Sequence, residues 1–438
     1  MLTSDYTPAS SLMASLLGED SFHPAPPRTI DDLGIPETHV DAMICKQVLQ
    51  SGVVSGRQIA DQLCVPFGML EPRFLTLRSR SYITHRGSAP LNDYLYSLTE
   101  QGRDFAQTLM DSCAYVGPLP VPLADYVNGI EAQSIRAEAP QRAQLQASCK
   151  DICVNPEIYD ELGPAVNSGA GLFLYGAPGN GKTTLAERIA LCFGQTIWIP
   201  KTIYADGEIV KLFDGSYHEP IESQNNSIIK DKDHDRRWVK IRRPTVIAGG
   251  ELTMDSLEIR HNSKINVSEA PLQLKSNGGV LLIDDFGRQR MDPAELLNRW
   301  IVPLEKCYDF LTLASGKKIQ VPFDQMIIFS TNLDPRELVD EAFLRRISYK
   351  IHVKDPTERE FRLLFKKAAE QFDCPYDETS VDYLIQRHYQ KPNRAFRRCH
   401  PRDLLRQVRS YCAYNGFPLE MKKEYFDLVV RVYFTEVI

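Results

Sequence analysis

The chain has 438 residues, of which 43% are apolar and 25% charged, and a formal net charge of -6. That length predicts two to four domains with sizeable cores, and the acidic balance excludes a protein that coats nucleic acid or membrane with its whole surface. The ten cysteines, at 45, 64, 113, 149, 153, 192, 307, 374, 399 and 412, lack the paired spacings of a zinc site or a disulfide framework. Cys149 and Cys153 are read as two positions on one helical face. With no leader-like opening and no apolar run of membrane length, a reducing cytoplasm is the expected compartment.

Residues 1–37, with the proline-rich His23-Pro24-Ala25-Pro26-Pro27 run, read as a poorly ordered tail. From Thr38 the apolar positions Val40, Met43, Ile44, Val48 and Leu49 fall on one helical side, and Ser51-Gly52 ends the element. Ser55 caps a second short helix, and Phe67 to Ser81 makes a third, with Pro72 placed in its first turn. Tyr82 to His85 and Asp93 to Leu98 flank the turn Gly87-Ser88-Ala89-Pro90 as a hairpin. The exit Tyr96-Ser97-Leu98-Thr99-Glu100-Gln101-Gly102 resembles that of winged helix-turn-helix domains of the MarR-like type, over residues 38–116, and such domains often bind DNA.

Charge in that module favours docking to protein. Seven cations (Lys46, Arg57, Arg73, Arg78, Arg80, Arg86, Arg103) face seven anions (Asp41, Asp61, Glu71, Asp93, Glu100, Asp104, Asp111). Only Arg73, Arg78, Arg80 and Arg86 are grouped as phosphate neutralisers would be.

Residues 117–139, with Gly117-Pro118-Leu119-Pro120-Val121-Pro122, are expected to form a linker stiffened by the fixed φ of each proline. An α/β domain over 140–355 follows. Its centre is an apolar run, Leu172 to Tyr175, then Gly176-Ala177-Pro178-Gly179-Asn180-Gly181-Lys182-Thr183-Thr184, then a helix whose Leu185, Ile189 and Cys192 share a face. Strand, glycine-rich loop and helix are the context of a P-loop. The loop's N–H groups would cradle phosphates, Lys182 would reach the β and γ phosphates, and the Thr183 hydroxyl would face Mg²⁺. Gln195 to Pro200 reads as the next buried strand and Ile203 to Phe213 as a helix. After it Ser216 to Asp235 is polar, and Arg236 to Ile241 and Pro244 to Leu252 look like two strands; together, about 216–252, they read as an insertion facing a partner or a pore.

Gly278-Gly279-Val280-Leu281-Leu282-Ile283-Asp284-Asp285 is an apolar strand ending in two carboxylates, placed where ligands sit beyond parallel strand ends. Asp284 would hold the metal's water shell, and Asp285 would orient or deprotonate the attacking water. A helix from Pro293 to Cys307 and a hairpin about Ser315-Gly316 precede the strand Gln325 to Asn332, which delivers the Asn332 amide toward the γ phosphate. Beyond Pro356 a helical region, 356–438, suits a small lid. Of the seven cations Lys391, Arg394, Arg397, Arg398, Arg402, Arg406 and Arg409, all but Arg402 are read chiefly as its solvated face, with a polyanion-binding patch as the alternative.

Taken in order, these motifs resemble the AAA+ ATPase superfamily over about residues 140–438. The resemblance implies an α/β fold, a P-loop parallel sheet with a helical lid, preceded here by the winged-helix domain. It places Walker A at Gly176 to Thr183, Walker B at Val280 to Asp285 and sensor 1 at Asn332. Ala342-Phe343-Leu344-Arg345-Arg346-Ile347 looks like the arginine-finger segment, with Arg346 the finger and Arg345 second. Arg402 matches the lid's nucleotide-sensing arginine. The hairpin before Asn332 and the long interval after the P-loop helix look like the MoxR-like and NtrC-like branches. Walker B departs from the usual Asp-Glu in having Asp284-Asp285, as IstB-like relatives often do. The resemblance implies ATP and Mg²⁺, hydrolysis of ATP, and a homo-oligomeric ring, expected to be a hexamer. The expected role is remodelling of an unidentified protein client recruited by the winged helix, with no membrane partner. A DNA-acting factor, a transcriptional activator or helicase loader, is the alternative.

Overall fold

The computed structural model describes residues 22–152, 154–194, 196–221, 234–338 and 341–434. The expected tail over 1–21, Cys153, the middle of the insertion at 222–233 and the last residues of the lid, 435–438, lie outside them.

The first unit begins with the helix Glu37–Ser51, then strand β1 (Val53–Ser55) and the helices Gly56–Leu63 and Phe67–Ser79, followed by β2 (Ile83–Ala89), β3 (Asp93–Leu98) and the helix Glu100–Ser112. Strand β3 lies between β1 and β2, antiparallel to both. The cap read at Ser55 forms, as a reciprocal box with Gln58, and the structure adds a second at Thr99, whose hydroxyl accepts from Gly102 N at 2.9 Å. Gly102 is required by space, since a Cβ there would sit 1.8 Å from the carbonyl oxygen of Tyr82. Pro72 lies in the second turn of its helix instead of the first, on the exposed side.

Residues 22–37 do not form a free tail. Leu33 is fully buried, the Phe22 ring lies 5.3 Å from that of Trp238, and Asp235 N donates to Pro24 O. Nor do residues 117–139 form a linker. Val121 and Pro122 are strand β4, Leu119 N donates to Leu63 O, and Leu123–Ala132 is a helix. Leu119 and Val121 are apolar and bury almost completely, so the stretch packs instead of spanning solvent.

After the helices Arg142–Ser148 and Ile158–Ser168 comes β5 (Leu172–Tyr175), then the helix Lys182–Ala190, β6 (Thr196–Pro200), β7 (Thr202–Ala205), β8 (Glu208–Lys211), β9 (Trp238–Arg242), β10 (Thr245–Ala248), β11 (Arg260–Asn262), β12 (Val267–Glu269), β13 (Val280–Ile283), β14 (Tyr308–Thr312), β15 (Lys318–Pro322), β16 (Met326–Thr331) and β17 (Tyr349–His352). The central sheet is fully parallel, in the order β10-β13-β16-β5-β17. Its strands read as unbroken apolar runs because both faces are covered. Leu172, Leu174, Leu282 and Ile328 pack with Leu185 and Ile189 on one side, while Phe173, Leu281, Ile283 and Phe329 pack with Trp300 on the other.

The segment read from sequence as the next buried strand, Gln195 to Pro200, is a strand over Thr196–Pro200. That segment pairs antiparallel with β9 outside the central sheet, and β10, from within the expected insertion, takes the place beside β13. The expected helix from 203 to 213 is a hairpin, β7 with β8, closed by Asp206-Gly207 with φ of 51° and 92°. Asp-Gly between β-branched residues is the sequence pattern of such a tight turn, and helical periodicity was the weaker signal. Strands β11-β12-β8-β7-β4 form a second sheet. The expected helix 293–307 breaks at Trp300 into Pro293–Arg299 and Ile301–Lys306.

This second sheet and the N-terminal unit share one core: Ile209 and Val267 pack with Leu63, Leu70 and Tyr115. Arg237, 3% exposed, pairs with Asp235 at 2.8 Å and donates to Leu33 O and Pro120 O. The C-terminal region holds the helices Glu358–Gln371, Glu378–Leu384, His400–Asn415 and Lys423–Tyr433 around Phe361, Phe365, Leu404 and Phe426. Among the described residues no helix is long and apolar enough to cross a membrane.

Candidate nucleotide-binding site

The loop after β5 turns on glycines in conformations other residues avoid, with φ of 141° at Gly176, 80° at Gly179 and 79° at Gly181. It leads straight into the helix Lys182–Ala190, whose free N–H groups and dipole favour an anion. Lys182 is 6% exposed, and its ammonium donates to Gly176 O at 3.0 Å, Ala177 O at 3.2 Å and Asn332 Oδ1 at 2.6 Å. Burial pushes its pKa down, Asp285 and Asp284 oppose that, and Arg397 adds to it.

Because β5, β16 and β13 are neighbours in register, their C-terminal ends bring three motifs together. The Thr183 hydroxyl donates to the two Asp284 oxygens at 3.1 and 3.0 Å. Asn332 Nδ2 donates to Asp285 Oδ1 at 3.2 Å, so the amide joins Lys182 to the second carboxylate. Asp285 is exposed and holds φ of 49°, a left-handed conformation that a short polar side chain tolerates. Gln289 Nε2 donates to Asp284 O at 2.9 Å and fixes the turn beneath both acids.

These groups line a cleft of about 680 Å³ that includes Pro178 through Thr184, Asp284, Asp285, Asn332 and Arg402. Arg402 is half-exposed and pairs with Asp403 at 3.3 Å. Arg345 and Arg346 are elsewhere: Arg346 pairs with Glu305 at 2.7 Å, and Arg345 lines a separate cavity with Arg336 and Lys350. One chain therefore assembles every predicted site residue except those two.

Sequence reasoning missed two parts of the cleft. Ile152, Val154 and Ile158, from the stretch before β5, face Leu364 and Ala368 of the lid across an apolar slot, where a flat ring would fit. The second is the lid's approach to the loop. Cys399 N donates to Gly179 O at 2.9 Å, and Asn180 Nδ2 donates to Asp355 Oδ1 at 2.7 Å. Asp355 stands just before Pro356, which was read only as a boundary. The basic run of the lid is less a solvated face than expected: Arg394 lies 3.8 Å from the Phe434 ring centre, Arg409 lies 4.8 Å from that of Phe372, and Arg397 and Arg398 pair with Asp355 and Glu360.

The parallel sheet with its glycine-rich loop, lysine and strand-end acids defines a P-loop α/β fold. Residues 357–432 match a family model described as a domain of unknown function, DUF8689. No curated protein matches. Among solved structures, NtrX from Brucella abortus is similar at 13% identity and a TM-score of 0.39, over 64% of this chain and 56% of NtrX. Two variants of RuvB from Thermotoga maritima are similar at 15% and 13% identity with TM-scores of 0.38 and 0.36, over 66% and 68% of this chain and 73% and 72% of theirs. The chain thus spans little more than half of the NtrX chain.

Proposed function

We propose that this protein is an AAA+ ATPase that binds ATP with Mg²⁺ and hydrolyses it, working as a homo-oligomeric ring to remodel a protein client. The observation that carries the reading is the convergence of Lys182, Thr183, Asp284, Asp285 and Asn332 at adjoining strand ends.

In this reading the residues divide the work by their chemistry. Left-handed glycines at 176, 179 and 181 let backbone N–H groups turn inward on the phosphates. All three Lys182 protons are committed to oxygens, and a phosphate takes one of those places, most simply that of Asn332 across the cleft. A hydroxyl facing a carboxylate is a hard-oxygen pair that fits Mg²⁺, so Thr183 and Asp284 would hold the ion, which neutralises charge developing on the phosphates. Asp285 and Asn332 then orient the attacking water. The apolar slot takes the base. Arg402 reaches the nucleotide from the lid.

Arg346, with Arg345 beside it, is assigned to the neighbouring subunit's nucleotide, because neither lines the cleft of its own chain. An arginine supplied in trans is worth about 10³ to 10⁵ in rate in well-studied cases. The N-terminal unit is the proposed winged helix. Arg73 is buried in pairs with Asp41 and Glu37, which withdraws one of its four grouped arginines from phosphate contact and supports a protein client over DNA.

The test is steady-state ATP hydrolysis by the purified full chain beside Lys182→Ala, Asp284→Ala and Asn332→Ala, with particle size measured with and without ATP and duplex DNA. All three substitutions are expected to abolish turnover. Equal hydrolysis by wild type and Lys182→Ala would refute the reading, and stimulation by duplex DNA would move the client from protein to DNA.

A further inference from the structure

The turn that follows β13 carries a cation into the cleft. The chain reverses there over Asp285 and Gly287, with φ of 49° and 97°, and the turn is fixed from several sides. Phe286 is buried against Phe173 and Phe329, its N–H donates to Ser330 O at 2.7 Å, and its carbonyl accepts from the Thr331 hydroxyl at 2.9 Å. Gln289 accepts from Gly287 N at 2.8 Å and donates to Asp284 O at 2.9 Å, while Arg288 N donates to Asp285 O at 3.0 Å. Arg288 therefore projects from a rigid base, and it lines the same cleft as Lys182, Asp284, Asp285 and Asn332.

Three arginines line that cleft among the described residues, and two are engaged: Arg398 pairs with Glu360 and Arg402 with Asp403. The third, Arg288, is exposed, and among the described residues no hydrogen bond or ion pair engages its guanidinium. The slot for the base is built by the stretch before β5 and the lid, whereas Arg288 comes from the turn of the two acids. It thus stands with the metal and the terminal phosphate, away from the base.

We propose that Arg288 is a catalytic residue, a guanidinium supplied by the chain to its own nucleotide that contacts the terminal phosphate and stabilises its charge during hydrolysis. This inference rests on the nucleotide reading of the cleft. Water forms the new bond to the terminal phosphorus, the bond to the bridging oxygen breaks with its electron pair going to ADP, and the water's proton leaves by way of Asp285. Arg288 takes no proton. Its planar fork offers fixed N–H donors to the phosphate oxygens, where charge redistributes as the bond breaks. No carboxylate has to be displaced first, and the rigid turn spares the reorganisation that a mobile side chain would need. Arg346 has a different part, since it comes from a neighbour and Arg288 needs none.

The experiment measures kcat and KM for ATP with the full chain, Arg288→Ala and Arg288→Lys, and equilibrium binding of ADP with and without aluminium fluoride, whose complex imitates the phosphoryl group in flight. Arg288→Ala is expected to lower kcat about a hundredfold or more, to change KM and ADP affinity less than about threefold, and to lose the tightening that aluminium fluoride gives ADP. Arg288→Lys, which keeps the charge without the fork, should recover about tenfold of the lost rate. Millimolar guanidinium ion should restore part of the activity of Arg288→Ala, a rescue that a merely structural side chain would not show. The proposal is overturned if Arg288→Ala keeps kcat within about threefold of wild type, if it weakens nucleotide binding as much as it slows turnover, or if neither lysine nor guanidinium relieves the loss. Thermal unfolding checks the fold, and Arg288→Gln carries the same expectation as Arg288→Ala should the alanine variant unfold. Failure of the underlying reading looks different: wild type then hydrolyses no ATP, or Lys182→Ala hydrolyses it as fast as wild type.

Discussion

The closeness of loop and lid can be probed by adding one methyl group. A Cβ at Gly179 would lie 2.5 Å from Cys399 Sγ and 3.5 Å from Cys399 Cβ, on a backbone with φ of 80°. Gly179→Ala therefore meets two costs: left-handed strain of about 1 kcal/mol, present wherever the lid is, and overpacking of about 1–3 kcal/mol, present only while residues 397–399 sit on the loop. The second is escaped by opening the lid, which gives up the bond from Cys399 N to Gly179 O and the far wall of the slot. ATP binding is expected to weaken about ten- to a hundredfold. Cys399→Ala removes the sulfur and leaves an ordinary 3.5 Å contact, so the double variant should recover nearly all of the affinity, the strain of about 1 kcal/mol showing in stability and not in binding. Fluorescent nucleotide titration of the four proteins closes the cycle. If the two substitutions simply add, with a coupling below about 0.5 kcal/mol, lid and loop are not in contact in solution.

Three further outcomes are expected. His400, buried against Tyr389 with its Nδ1 3.0 Å from the hydroxyl, has its pKa pushed down to about 4 by burial. The unfolded chain then binds the proton first, so lid stability is full above the unfolded value near 6.5 and falls as pH drops toward 4, by on the order of 3 kcal/mol; thermal unfolding of His400→Gln between pH 4 and 7 should show a shallower slope. Arg237→Met strands the buried Asp235 carboxylate and should cost about 3–5 kcal/mol in denaturant unfolding, with most of it recovered by adding Asp235→Leu. Arg346→Ala subunits mixed with wild type should depress ATPase activity more than in proportion to their fraction, and strictly proportional loss would remove the trans assignment.

The N-terminal unit bears on how a client would be moved. A recruiting module on a free tether could follow its client without moving the ATPase. Here Leu119, Val121, Tyr115 and Arg237 weld that unit to the second sheet, and Arg243 ties the neighbouring backbone at Gly278, just before β13. The N-terminal unit is thus joined to the second sheet by packed side chains instead of by an extended linker.

What the sequence determined by itself was local. The loop 176–184 needs glycines where φ is positive, Thr99 and Gly102 make a cap and a close approach, and β5, β13 and β16 are apolar runs because both of their faces are covered; each of these is a short-range requirement written in adjacent residues. The tertiary structure alone decided which strand stands beside β13, because β6 and β10 are both short apolar runs and only the pairing partner separates them. It alone showed that residues 22–37 and 117–139 pack, since a proline-rich stretch looks the same in solvent or against a sheet until an apolar partner is available. The bridge from Asn180 through Asp355 to Arg397 was beyond reach for the same reason. Its members lie some 175 and 42 positions apart in the chain, and no periodicity links residues that only folding brings together.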